Sequence, residues 1–190
     1  MAMDDDDRSN GLAPNLLLSM PQLTDPNFER TVLLLCEHTP DGAFGLVLNR
    51  PTTTAAAEVV NLVPPVEATS GPLLWVGGPV EPQRGWILLG GSPTGVDEDA
   101  TEVAPGIYLS TSLDLLRRVL LSTPPRARVL TGYSGWGPGQ LDAELAASAW
   151  LTMETDPALI FDTPADQMWD RAIRKLGADP AFLQSGQGVH

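Results

Sequence analysis

Three side chains offer nucleophile-and-base chemistry: Ser134, Cys36 and His38. Ser134 sits in Gly132-Tyr133-Ser134-Gly135-Trp136. That stretch is close to the G-x-S-x-G elbow that exposes a catalytic serine between strand and helix, but Trp136 stands where the elbow needs its second glycine. Cys36 and His38 are two residues apart, so a regular strand turns both to one face and Glu37 to the other. A thiol with a histidine base needs such an approach. Against it, Cβ atoms at that spacing are too distant for an easy hydrogen bond, and Cys36 prolongs an apolar run in which a thiol is inert. The only other histidine is His190, so any histidine mechanism rests on His38.

The densest signal is Gly132-Tyr133-Ser134-Gly135-Trp136-Gly137-Pro138-Gly139-Gln140-Leu141, four glycines, a proline and a tryptophan between an apolar run and a helical segment. Glycine at this density predicts a loop whose backbone takes positive φ or lies very close to a neighbour. Trp136 must then be packed down or used for binding. We expect it partly buried, with one ring face on the body and an edge at a concave surface beside Gly77 and Gly78. No lysine follows the glycines, which excludes a Walker A loop, while an anion at the helix start near Gln140 stays open. A second element, Val76-Gly77-Gly78-Pro79-Val80, reads as a tight turn or as the other wall of the same cleft. The candidate groove is therefore Asn27, Arg30, His38, Asn49, Gly77, Gly78, Pro79, Ser134, Gly135, Trp136 and Gln140, a composition suited to a small molecule or peptide. A satisfied network of turns would have the same composition. Asp25, Glu37, His38 and Asp41 have no ligand spacing, and neither metal nor cofactor is expected.

The elements that must position these groups follow from periodicity. Strands are predicted over 16–19, 31–38, 43–49, 73–76, 86–90, 106–109, 126–131 and 159–161. Thr39-Pro40-Asp41-Gly42 supplies a hairpin turn, and the run from Thr31 to Cys36, apolar on both alternating faces, predicts a central strand covered on both sides. Helices are predicted over 54–62, 112–121, 141–153 and from Thr163 as cap to Gly177 as stop. The last carries Met168, Trp169, Ala172, Ile173 and Leu176 as one apolar stripe. Stretches 64–71 and 91–105 read as loops. With strands early and helices concentrated after residue 110, the class is α+β with a mixed sheet.

The 190 residues suffice for one domain with a sizeable core. We assign 1–10 to a disordered acidic tail, 11–183 to the domain and 184–190 to a flexible C-terminus. Of the net charge of −13, the first ten residues account for −3, leaving an acidic body that repels phosphate backbones. The single cysteine excludes an intramolecular disulfide or a CxxC site. The longest apolar run, from Val32 to Cys36, cannot span a bilayer. The start of the sequence has no secretory character, so the cytoplasm is expected.

Several ordered motifs resemble the YqgE/AlgH family of bacterial proteins over nearly the whole chain. They are Leu17-Leu18-Ser19-Met20-Pro21, Asp25-Pro26-Asn27-Phe28-Glu29-Arg30-Thr31-Val32, Cys36-Glu37-His38, Gly42 to Pro51, Gly77-Gly78-Pro79-Val80, the stretch from Gly132 to Leu141 with Glu144, and Ile160-Phe161 with Trp169. The resemblance implies a bent mixed sheet forming a pseudo-barrel with helices around it. It implies no activity, since that family has no established biochemistry, although some members carry the label of transcriptional regulator. Our leading expectation is a non-enzymatic binding or regulatory domain with a protein or small-molecule partner. The alternatives are a hydrolase using Ser134 or Cys36 with His38, and a regulator that contacts DNA through Arg117, Arg118, Arg126 and Arg128. The acidic body argues against the last, and no membrane association is expected.

Overall fold

The computed structural model describes residues 11–23, 25–67, 71–91, 100–122 and 124–184. The acidic tail and the C-terminus from residue 185 lie outside the described residues. Among the described residues, ten strands form one curled, mostly antiparallel sheet: β1 (Asn15–Ser19), β2 (Val32–Thr39), β3 (Gly42–Val47), β4 (Pro51–Ala55), β5 (Leu73–Val76), β6 (Val80–Gly90), β7 (Ala100–Ala104), β8 (Ile107–Ser110), β9 (Ala127–Trp136) and β10 (Trp150–Met153). Six helices join them: α1 (Ala56–Val59), α2 (Leu113–Leu121), α3 (Gln140–Ala146), α4 (Pro157–Asp162), α5 (Ala165–Lys175) and α6 (Pro180–Gln184). The strand order is β10-β1-β2-β3-β9-β6-β8-β7, with β5 parallel to β9 and carrying β4 on its far side. The class is α+β, a half-barrel in one domain, as the sequence implies.

Alternation along the strands builds three apolar clusters. Leu16, Leu18, Leu34, Leu88 and Leu130 turn into the concave face, which α4 and α5 fill with Ile160, Phe161, Met168 and Trp169. Their neighbours Leu17, Leu33 and Leu35 turn outward beneath Trp136, Leu141 and Trp150. Ile87, Leu89 and Val129 turn outward at the other end beneath Leu115, Leu116, Val119 and Leu120 of α2. β2 is thus the central, doubly covered strand that its unbroken apolar run predicts. The hairpin also forms as expected, pairing Thr39 with Gly42 across Pro40-Asp41.

Other segments differ from expectation. The glycine-rich loop continues β9 as far as Trp136, because β3 pairs with its Ser134, Gly135 and Trp136. The helix expected over 54–62 is mostly β4, with one short turn in α1. The helix expected over 141–153 stops at Ala146, and Trp150–Met153 forms an edge strand on β1. Residues 159–161, expected as a strand, lie in α4, whose first turn is capped by the Asp156 carboxylate accepting from the Ala158 and Leu159 amides. Ala100–Ala104, expected as loop, pairs with β8, while 92–99 lie outside the described residues. α5 starts one residue later than predicted. Pro164 is its N-cap, and Thr163 instead ends α4.

Candidate functional site

The two glycine-rich elements lie against each other, and Gly77, Gly78 and Gly132 serve backbone packing between them, whereas a Cβ on Gly137 or Gly139 would meet nothing within 4 Å. A Cβ on Gly78 would fall 2.2 Å from the Tyr133 carbonyl carbon, and one on Gly132, whose φ is +72°, would fall 2.2 Å from the Gly78 oxygen. The Gly77 amide donates to the Thr131 carbonyl, and the Gly77 carbonyl accepts from the Val47 amide at 2.8 Å and the Ser134 hydroxyl at 3.3 Å. Ser134 is 1% exposed. Its hydroxyl is committed to a backbone carbonyl inside the sheet.

The Cys36–His38 pair does not assemble. A bulge between Leu35 and Glu37 shifts the register of β2 on β3. Cys36 turns to the concave cluster, its thiol directed at the Leu34 carbonyl. Burial, with a smaller contribution from the Glu37 charge, pushes that thiol up to about 12. His38 turns to the opposite side, where Nδ1 accepts from the Leu12 amide at 3.1 Å and Nε2 lies 3.2 Å from the Asp142 carboxylate. The extra residue of a bulge reverses the facing of everything beyond it. The same-face expectation is therefore corrected.

Trp136 is 7% exposed and belongs to the outer cluster. Its ring meets Trp150 edge-on, with centroids 6.1 Å apart. Both indole N–H groups donate to one oxygen of Glu144, at 2.9 Å from Trp136 and 2.7 Å from Trp150. Gln140 donates to the other Glu144 oxygen and accepts from the Gly137 amide. This carboxylate clamp secures the end of β9, so Trp136 and Gln140 belong to an internal network. Asn49 is likewise engaged, accepting from the Val32 amide and donating to the Arg30 carbonyl. Arg30 stacks 5.0 Å over Trp169 and pairs with Asp170.

What the structure does bring together is a cleft of about 310 Å³ where Asn27, Gly78 and Pro79 meet Val47, Arg50 and Val76. Of the predicted groove, Asn27, Gly78 and Pro79 line it. Arg30, Asn49, Gly77 and Ser134 belong to the turns and strands behind it, and His38, Gly135, Trp136 and Gln140 are placed by other contacts. Arg50 is the residue that sequence reasoning passed over. Its guanidinium donates to the Glu29 carbonyl and, at 3.2 Å, to the Thr31 hydroxyl, which fixes the charge at the cleft wall. The signal was its place in Asn49-Arg50-Pro51 directly after a strand. Asp25 fixes the opposite wall by accepting from the Asn27 amide and side chain. Among the described residues no group of three metal-ligating side chains converges, and no helix is long and apolar enough to cross a membrane.

Residues 16–181 match the family described as AlgH-like. A UPF0301 protein of Myxococcus xanthus is 40% identical over 181 residues, covering 94% of this chain and 98% of that one. One from Bordetella avium is 39% identical, covering 100% of this chain and 96% of its own. The solution structure of AlgH from Pseudomonas aeruginosa superposes with a TM-score of 0.73 at 36% identity, covering 99% of this chain and 100% of that one. A crystal structure from Corynebacterium diphtheriae, at 22% identity and a TM-score of 0.70 over 97% and 95% of the two chains, shares the fold.

Proposed function

This chain belongs to the AlgH-like family, and from the geometry of its cleft we propose a non-enzymatic binding or regulatory protein that acts in the cytoplasm. The carrying observation is the convergence of Arg50 and Asn27 with the apolar walls Val47, Val76 and Pro79 in one open cleft. A fixed guanidinium with a carboxamide beside it suits an acceptor group, and the apolar walls suit the body of a small ligand or a peptide side chain. The hydrolase reading gains no support, because the Ser134 hydroxyl, the Cys36 thiol and both His38 ring nitrogens are turned to other partners.

Direct contact with DNA gains none either. Arg126 pairs with Asp162, and Arg128 donates to the Phe161 carbonyl while lying 4.9 Å over Trp75. With two of the four arginines of that reading held in these contacts, and a net charge of −13, a phosphate-binding face gains no support. The test is amide chemical-shift mapping of the full chain against a library of small carboxylates and acidic peptides. Hits that shift Asn27, Arg50 and Gly78 together, and that fail on Asn27→Ala, support the reading. Hits confined to the surroundings of His38 and Gln140 overturn it.

A further inference from the structure

A second cavity, of about 460 Å³, lies on the far side of the half-barrel between α2, β6 and β9. Its floor is aliphatic, formed by Leu74, Ile87, Leu116 and Val129, and Leu113 and Val59 stand at its rim 65% and 49% exposed. Among the described residues, none that lines it is Asp, Glu, Lys or Arg. In a chain with 24 acidic residues, a wall free of charge neither attracts a cation nor compensates an anion. Asn61, Gln83, Thr111 and Thr131 place uncharged polar groups around the aliphatic floor.

Gly85 supplies the independent observation. It pairs with Thr131, and two residues on Ile87 pairs with Val129, so Gly85 faces the cavity with the rest of that row. Gly42, Gly45, Gly90 and Gly132 are required by protein contacts, and Gly135 packs closely on the Tyr133 ring. A Cβ would meet the Trp136 carbonyl oxygen from Gly42, Leu33 from Gly45, Phe161 from Gly90, the Gly78 oxygen from Gly132 and the Tyr133 ring from Gly135. A Cβ on Gly85 would meet nothing within 4 Å, and its backbone needs no positive φ. Glycine inside a strand lowers stability and marks a bulge, a bend, or close approach of a ligand or another backbone. No protein atom approaches Gly85, which leaves the ladder irregularity that ends at it and the approach of a ligand. The ladder also lapses between Val80 and Gly85, so that Pro82 and Gln83 stand off β9 and wall the cavity.

We propose that this cavity is a binding site for a neutral, mainly aliphatic small molecule with one uncharged polar end, seated against the backbone at Gly85. The site is independent of the Arg50 cleft. Its volume falls within the range of small-molecule sites, and a charged headgroup would lose hydration there without a partner.

The probe is N-phenyl-1-naphthylamine, titrated into the full chain and displaced by 1-decanol or by decanoate. Saturable single-site fluorescence is expected, with 1-decanol displacing at a concentration about tenfold or more below that of decanoate. Gly85→Leu, folded by circular dichroism, should weaken the probe by about tenfold or more, Gly85→Ala should weaken it less, and Asn27→Ala should leave it unchanged. If Gly85→Leu does not fold, the ratio of Gly85→Ala to wild type decides, and an unchanged ratio overturns the site. Wild-type affinity in a folded Gly85→Leu, equal displacement by the alcohol and the carboxylate, or no saturable binding each overturn it too.

Discussion

At the scale of single residues, this chain keeps its reactive groups occupied. Cys36 shows the consequence most directly, since burial holds its thiol near 12 against an ordinary 9.0. At pH 8 the thiolate fraction falls by roughly 10³ relative to the unfolded chain, and alkylation requires the thiolate. Iodoacetamide should therefore label native Cys36 slower than urea-unfolded protein by about that factor, as measured by intact-mass kinetics, and equal rates would contradict a buried thiol. The Glu144 clamp gives a second expectation. Glu144→Ala leaves two buried indole N–H groups without their acceptor, which costs about 1–3 kcal/mol for each unsatisfied donor. Trp136→Ala removes a buried ring and should cost ~3–5 kcal/mol in urea unfolding. Burial of Trp136 was legible beforehand, and the Glu144 clamp was not. A tryptophan among glycines predicted that Trp136 is packed down, but its acceptor lies on a helix eight residues later, and only the fold brings them together.

Elements were legible where local chemistry and tertiary structure agree. α2 spans the predicted segment, and Met168, Trp169, Ala172 and Ile173 of the α5 stripe fill the concave face, both as helical periodicity predicts. Leu176, the last of that stripe, is instead the exposed C-cap. Segments failed where only distant pairing decides. β4, β7 and β10 are short strands specified by partners elsewhere in the chain, and the bulge at Cys36 exists only relative to β3. The glycines of β9 read as loop because composition cannot reveal that a neighbouring backbone fills the space. Gly132→Ala should accordingly be severe, with positive φ and a 2.2 Å clash to overcome, whereas Gly85→Ala should leave the thermal midpoint near wild type or raise it. Similar losses at both positions would refute the packing argument. The ion pair between the start of α4 and the end of α5 adds a pH signature. Lys175 beside Asp156, with the capped amides, holds that carboxyl below the usual range. Asp156 thus contributes fully above the unfolded value of about 3.9 and loses its contribution as pH falls through the lower folded value. Asp156→Asn should flatten the acid limb of a plot of urea midpoint against pH, and an unchanged limb would remove the assignment.

At the scale of the whole molecule, the question is whether three apolar clusters make three units or one. β1, β2 and β3 each supply the concave face and the face under Trp150 by simple alternation, and β6 supplies the concave face and the face under α2. β9 contributes to all three, with Leu130 inward, Val129 beneath α2 and Trp136 beneath α3. No strand can leave one cluster and stay packed in another, because an alternating strand that slips or detaches strips both faces together. The tryptophans report the concave face and one outer face, whereas α2 covers an outer face that contains no tryptophan. Tryptophan fluorescence, far-ultraviolet circular dichroism and hydrogen-exchange protection of the α2 amides should therefore be lost at one urea concentration. An earlier loss of α2 protection, with fluorescence intact, would show that the far end of the half-barrel opens as a separate unit and that β9 does not couple the three faces.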